Sequence, residues 1–490
     1  MSNTSTQPLI NSLVPQEVWE KFSAISQIPR GSGKETRLIN YIENLAIQHN
    51  FSFKRDEIGN IVVYKPGSTL LQSDVTIVLQ SHLDMVQVKE DGLDFDFDVD
   101  AINLVVDGDW LKAKGTTLGA DNGIGVAMAL ALLCSTDIPH PNLELLFTAS
   151  EEIGMIGAKQ LSQTWLKGKV MINLDTEDDD QFTHGCAGSV DLSVSKRYAC
   201  TAIDGKVAYE ITISGLKGGH SGLDIHRKIG NASKVMGELL LEISKKNDLA
   251  IHSLSDGGVR NTIPSISKAV VFVSPDEVNA LFSYIANLTE KFIKSIGKNA
   301  DNLAITAVEK QNVEQKVLPK EIQKKLLGCI SGLPDGVHSY SSHFEDVVET
   351  SSNLSILEVG AGRLYIHILV RSLKDSELAR VSASFRKYFQ QYHFEMQEVG
   401  FYPAWEAVAE SEILDIAKNV YVRLFNEQPR ITAYHAGLEC GMIKSKYPHL
   451  DVISMGPKIE SVHSCSERVA ISSVKRSFDL LVGILGHRRC

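Results

Sequence analysis

The chain predicts an α/β fold: a mostly parallel-sheet domain with helices on both faces, interrupted by a large α+β insertion. Three observations carry this. Near-continuous apolar strands alternate with helical segments up to about residue 187. Between there and about 398 the strands switch to alternating apolar and polar residues, and from about 400 the first pattern returns. A length of 490 residues also exceeds what a single core serves, so two domains are expected. The boundaries that follow are 1–187 and 399–490 for a discontinuous first domain and 188–398 for the inserted one.

The elements follow in order. Residues 15–27 (VPQEVWEKFSAIS) and 34–49 read as amphipathic helices. GNIVVY (59–64) and VTIVLQ (75–80) are strands, the second so apolar that both its faces must be buried. GIGVAMALALLC (123–134) has the small-residue and Leu content of a buried helix. NLELLFTA (142–149) is a strand, followed by a short helix around Gly154 and Gly157, and KVMINLD (169–175) is another strand. The run Glu177 to Asp180 reads as a solvated loop.

In the insertion, DLSVSKRYA, AYEITISGL and ISKAVVFVS alternate as half-buried antiparallel strands do, between helices at about 229–246 and 275–297. A helix at 319–331, strands at 352–358 and 363–370 and a helix at 375–392 form a second group. Two related α+β units are therefore expected, 190–300 and 335–398. The first domain resumes with a helix at 410–425, the turn-rich YHAGLECG, the strand DVISMG (451–456) and a helix at 471–487.

Composition excludes several classes. A net charge of −11 argues against a nucleic-acid partner, which needs clustered Lys and Arg. No apolar run approaches the roughly 20 residues a membrane-spanning helix requires. The N-terminal MSNTSTQPLINSLVPQE lacks the basic start and apolar centre of a signal peptide. The seven cysteines are scattered without a CxxC pair, as expected of reduced thiols in a cytoplasmic protein.

Chemistry concentrates at strand ends, where open parallel sheets bind ligands. His82 follows VTIVLQ, Glu151 and Glu152 follow NLELLFTA, and Asp175 ends KVMINLD. His463 lies in the loop after DVISMG, and Asp121 in the glycine-rich LGADNGIG. Singly, each is unremarkable: HLD is a chance tripeptide, DNG a turn, EE before a helix a response to its dipole. Together they suit two divalent ions with one carboxylate left over as a base. Asp121 is the best candidate to bridge, since Gly119, Gly123 and Gly125 allow close backbone approach. Asp84, two residues from His82, points the same way on an extended chain and can accept the imidazole N–H. Adjacent Glu151 and Glu152 point to different sides, one fit to bind metal and the other to face the attacking water.

The segments SHLDM (81–85), GTTLGADNGIG (115–125), TASEEIG (148–154), NLDTED (173–178), GLKGGHSG (215–222), HAGLECG (435–441) and VHS (462–464) extend over the chain in an order that resembles the aminoacyl-histidine dipeptidases. These are also called Xaa-His or cytosolic non-specific dipeptidases, of PepD type, and belong to the co-catalytic zinc metallopeptidases with a lid domain. The resemblance makes the first domain catalytic and the insertion a lid and dimerisation domain. It implies one ion on His82, Asp121 and Asp175 and another on Asp121, Glu152 and His463, with Glu151 as general base and Asp84 as partner of His82. The ions would be Zn²⁺, with Co²⁺ or Mn²⁺ as substitutes. A cis bond after the bridging residue, here Asp121–Asn122, is also implied. On the lid, the resemblance makes His220 the group that stabilises the oxyanion, and Asn261 and Arg371 the groups that hold the peptide and its terminal carboxylate; Gly437, in the first domain, is also expected to bind the substrate. It favours a homodimer through the lid; the alternative is that His220 completes the site within one chain, the second α+β unit standing in for a partner's lid.

The expected activity is hydrolysis of unblocked dipeptides, including carnosine-like Xaa-His. Two alternatives stay open: an N-acyl amino acid deacylase of the same superfamily, and a non-catalytic binding protein on the same fold. The chain departs from the family after His463-Ser464, where a Pro and an acidic residue are expected and HSCSER stands instead. Cys465 there is expected to be a neutral buried thiol, and His184 to be structural.

Overall fold

The computed structural model describes residue 10, residues 12–71 and residues 75–487. It divides into two compact units. The first comprises residues 1–185, 407–433 and 438–490, and the second 186–406 with 434–437. The strand that closes the insertion runs on to Tyr402, because Met396–Tyr402 pairs antiparallel with Gly188–Arg197. The second unit therefore extends past the expected boundary at 398. It also takes Tyr434–Gly437, which were expected in the first domain and include the first three residues of HAGLECG.

The first unit is built on an eight-stranded sheet. Its centre is four parallel strands, in spatial order Asn142–Thr148, Thr76–His82, Val170–Asn173 and Asp451–Ser454. These are the apolar runs of the sequence, buried along nearly their whole length. Ser52–Arg55 and Ile61–Lys65 continue the sheet as antiparallel strands on one side; on the other, Gln181–Cys186 pairs antiparallel with Asp451–Ser454, and Arg430–Tyr434 lies outermost beside it. The helices Gln16–Ile25, Thr36–Gln48, Ala120–Cys134, Glu412–Phe425 and Ile471–Leu485 share one buried apolar core with the central strands. Ala120–Cys134 is apolar on every side and almost wholly buried, as its composition predicts.

A small antiparallel sheet was not anticipated. It orders Ile459–Glu460, Arg468–Ala470, Trp110–Ala113 and Leu104–Asp107, and it fixes both ends of the loop that carries His463. Gly108-Asp109, a two-residue loop between two short strands with Gly108 at a φ of 61°, is the hairpin signal that marks the pair Leu104–Asp107 and Trp110–Ala113.

The second unit carries a nine-stranded antiparallel sheet: two βαββαβ repeats supply eight strands, and Gly336–Tyr340, paired with Val348–Gly360, is the ninth. The first repeat is Val207–Ser214, helix Ala232–Ser244, Ala250–Ser255, Ser267–Val273, helix Val278–Ile296 and Ala304–Lys310. The second is Gly188–Arg197, helix Lys320–Gly332, Val348–Gly360, Arg363–Ser372, helix Asp375–Gln391 and Met396–Tyr402. Within each, the spatial strand order is fourth, first, third, second. The repeats join through their second strands, where Leu254 faces Val359. Two units were expected, but Gly188–Arg197 was placed in the wrong one: its register with Arg363–Ser372 and Met396–Tyr402 makes it the first strand of the second repeat. The first repeat is thus inserted inside the second, which simple alternation of apolar residues cannot reveal.

Candidate active site

His82 is the last residue of its strand, Asp175 lies two residues past Asn173, and Glu151 and Glu152 follow the strand ending at Thr148. Asp121 is the second residue of Ala120–Cys134, where the backbone departs from helical angles and the Asp121–Asn122 bond is cis, as the resemblance implied. His463 sits in the loop between Glu460 and Arg468 with a left-handed φ of 60°.

These side chains converge. His82 Nε2 lies 3.0 Å from Asp121 Oδ1 and 3.4 Å from Asp175 Oδ1. His463 Nε2 lies 3.2 Å from Asp121 Oδ2 and 3.0 Å from Glu152 Oε2. Asp121 thus offers one oxygen to each of two groups, His82–Asp121–Asp175 and Asp121–Glu152–His463, and in each group the donor atoms lie within 4.8 Å of one another. His82, Glu151 and Glu152 form a third such group.

The electrostatics show what this cluster demands. Burial alone would lower His82, yet Asp175, Asp121 and Asp84 hold its pKa well above the ordinary value. Hydrogen bonds to Asp121 and Glu152 push His463 up to about 11. Burial, and then the charges of Asp121 and Glu152, push Asp175 up to about 6 against the pull of His82. Carboxylates this close and this buried require positive charge between them. A donor set of imidazole nitrogens and carboxylate oxygens, two triads sharing one carboxylate, fits a pair of divalent ions.

Glu151 is set apart. Burial raises its pKa well above the usual carboxylate range, and the charges of Glu152, Glu439 and Asp175 add to that while His82 opposes it. Asp84 does more than face His82 Nδ1 at 3.4 Å. Its oxygens also accept from the backbone N–H of Glu151 (2.9 Å) and of Glu152 (3.1 Å), and from Ser32 Oγ (2.7 Å). One buried carboxylate therefore orients a histidine and both glutamates.

Several supporting groups escaped the sequence analysis. Glu467 accepts from the backbone N–H groups of Leu118, Gly119, Ala120 and Asp121 at 2.8, 3.0, 2.7 and 3.3 Å. This is the acidic residue that seemed absent after His463-Ser464; it stands at the end of HSCSE and holds the segment bearing Asp121. Buried Arg30 donates to the carbonyls of Leu83, Asp84 and Gly119, tying the same segment to the one after His82. Glu439 lies wholly buried, with Oε2 accepting from Gln80 (2.6 Å) and Thr148 (2.5 Å), and burial pushes its pKa up to about 7. Glu177, expected as solvated loop, is pushed up to about 8 by burial and by Asp121 and Asp175. A Gln inside the apolar run VTIVLQ was the one available hint of a buried polar partner. Cys465 is a part-exposed free thiol rather than a buried one, and the His184 ring nitrogens lie 3.1 Å from the Val452 carbonyl and 3.4 Å from the Val408 carbonyl.

The remaining expected residues belong to the second unit and are linked there through Ser221. The backbone N–H of Ser221 donates to Asn261 O (2.8 Å), and Arg371 Nε reaches Ser221 Oγ (3.4 Å). Neighbouring His220 accepts at Nδ1 from the N–H groups of Gly222 (3.2 Å) and Leu223 (3.1 Å). Its ring proton therefore resides on Nε2, which makes that atom a donor. Gly437 packs so closely that a Cβ would lie 2.7 Å from the Tyr402 oxygen. Arg371 is buried, and among the described residues no carboxylate pairs with it.

The family model described as peptidase family M20/M25/M40 matches residues 78–487. The chain is 36% identical over 477 residues to the cytosol non-specific dipeptidase of Escherichia coli, covering 97% of this chain and 98% of that protein. The crystal structure of aminoacylhistidine dipeptidase from Vibrio alginolyticus superposes with a TM-score of 0.85 at 36% identity, covering 97% of each chain. Aminopeptidase PepT from Bacillus cereus shares the fold at a TM-score of 0.59 and 14% identity, covering 98% of this chain and 100% of that one. With a family match over most of the chain and a relative of this similarity along nearly all of it, the protein belongs to peptidase family M20/M25/M40.

Proposed function

We propose that the chain is a metal-dependent dipeptidase that hydrolyses unblocked dipeptides, Xaa-His and carnosine-like peptides among them. The observation that carries this is the division of Asp121 between two triads, one oxygen to each. His82, Asp121 and Asp175 would hold one ion and Asp121, Glu152 and His463 the other. Zn²⁺ suits this donor set, as do Co²⁺ and Mn²⁺. Bound divalent ions polarise the scissile carbonyl and acidify water.

The chain's own groups then divide the work. Glu151, whose pKa burial raises, takes a proton from the attacking water and passes it to the leaving amine. Asp84 keeps Glu151, Glu152 and His82 in register. His220, with its proton on Nε2, donates to the developing oxyanion. Arg371 takes the peptide's terminal carboxylate, because a buried guanidinium with no protein counter-charge is costly until an anion joins it. Asn261 and Gly437 hold the peptide beside it. The similarity to the two dipeptidases supports a cytoplasmic enzyme acting on small peptides, and the net charge of −11 argues against a nucleic-acid partner. We also propose a homodimer through the second unit, on the resemblance alone.

Three outcomes are expected. Metal-loaded protein hydrolyses L-Ala-L-His and carnosine and leaves N-acetyl amino acids intact; the reverse preference in the same assay means a deacylase, and no hydrolysis with added Zn²⁺, Mn²⁺ or Co²⁺ means a binding protein. Glu151→Gln keeps its metal by elemental analysis and loses at least ~100-fold in kcat, whereas near-normal turnover would remove Glu151 from its role. Glu467→Gln, which cannot balance four backbone N–H groups as a carboxylate does, weakens metal affinity by ~10–100-fold in a chelator competition; unchanged affinity would make Glu467 irrelevant to the placement of Asp121.

A further inference from the structure

We infer that Tyr402 is a specificity-determining residue: its phenol O–H, beside the Arg371 guanidinium, donates to the terminal carboxylate of the peptide. The second unit would then recognise a free C-terminus through two side chains rather than one. This rests on the dipeptidase reading above and deepens it.

The sheet register puts the two side chains together. Tyr402 faces Ser189 on the neighbouring strand, Ser189 faces Arg371 on the next, and Arg371 faces Ser351 on the one after. Residues directly opposite on antiparallel strands share a face, so these four form one row. Ser189 between them is small enough for Tyr402 and Arg371 to meet across it. Arg371 Nη1 donates to the Tyr402 oxygen at 2.9 Å.

That bond has a consequence for the phenol proton. The Tyr402 oxygen is the acceptor there, so its own hydrogen points elsewhere. Tyr402 is only 8% exposed, and no acceptor for that hydrogen occurs among the described residues. A buried donor left unmade is costly. On Arg371, Nη2 donates to no described protein group and no described carboxylate balances the charge. Two neighbouring buried side chains thus have unused donors, and one carboxylate, with two oxygens, satisfies both.

The surroundings keep this space open and singly charged. A side chain at 437 would strike the Tyr402 oxygen at 2.7 Å, so the bare glycine backbone leaves the phenol reachable. His435 closes the far end of the row, with Nε2 2.7 Å from Ser351 Oγ. Burial, and then the charge of Arg371, push its pKa down to about 3, so it stays neutral. The guanidinium is left as the full positive charge in the row, matched to one carboxylate.

The test compares L-Ala-L-His with its C-terminal amide on the metal-loaded full chain. In Tyr402→Phe, kcat/KM for the acid relative to the amide falls ~10-fold, the size of a hydrogen bond to a charged group. The loss is in KM for the acid, with kcat and the constants for the amide unchanged. Arg371→Met lowers the ratio further, and adding Tyr402→Phe to it lowers the ratio again. An unchanged ratio in Tyr402→Phe overturns the inference. So does an effect that disappears in the Arg371→Met background, because Tyr402 would then act only by holding Arg371. Hydrolysis of neither peptide by the wild-type chain sinks the dipeptidase reading and this inference with it. Full acid-over-amide preference in Arg371→Met sinks the assigned role of Arg371 while leaving Tyr402 to its own result.

Discussion

Asp121 turns one carboxylate oxygen toward His82 and the other toward His463, and much of the first unit is arranged to keep it doing so. Its backbone leaves helical geometry at that residue, and the amides leading up to it are gathered by Glu467. Arg30 fastens the same segment to the carbonyls beyond His82. The partners of Asp121 come from separate strand ends, and His463 comes from a loop clamped at both sides by a small sheet. Local charge repulsion is the reason for such support. Several carboxylates share a small buried space, and only a firmly held frame keeps them there until cations balance them.

Much of this was legible in the sequence because the candidate ligands sit where apolar strands end. A run such as VTIVLQ declares its own boundary, and the next residue, His82, inherits a defined position. The spacing of His82 and Asp84 carries its meaning in the same way, since alternate residues of an extended chain share a side. Glu467 and Arg30 were missed for the opposite reason. They act on backbone groups far away in sequence, and a carboxylate that gathers amides has no local pattern to betray it. Glu439 and Glu177 were missed because a charged residue in a turn-rich or acidic stretch reads as solvated, and burial overrides that only in three dimensions.

The second unit shows the same limit at the level of topology. Alternation of apolar and polar residues identifies antiparallel strands but not their partners. Gly188–Arg197 therefore went to the nearer repeat, whereas its hydrogen bonds belong to the farther one. Tyr402 and Arg371 lie on different strands, and the register makes them neighbours across a single serine. A guanidinium buried without a protein carboxylate is costly until an anion joins it, and that cost is the ground for proposing the peptide's own terminus as its partner.

The central claim is that two divalent ions sit on either side of Asp121. Anomalous diffraction from metal-loaded crystals, collected at the absorption edge of the bound metal, tests it most directly. The account predicts two peaks about 3.5–4 Å apart, one beside His82 and Asp175, the other beside Glu152 and His463, with Asp121 between them. A single peak, or a pair lying away from Asp121, would contradict it.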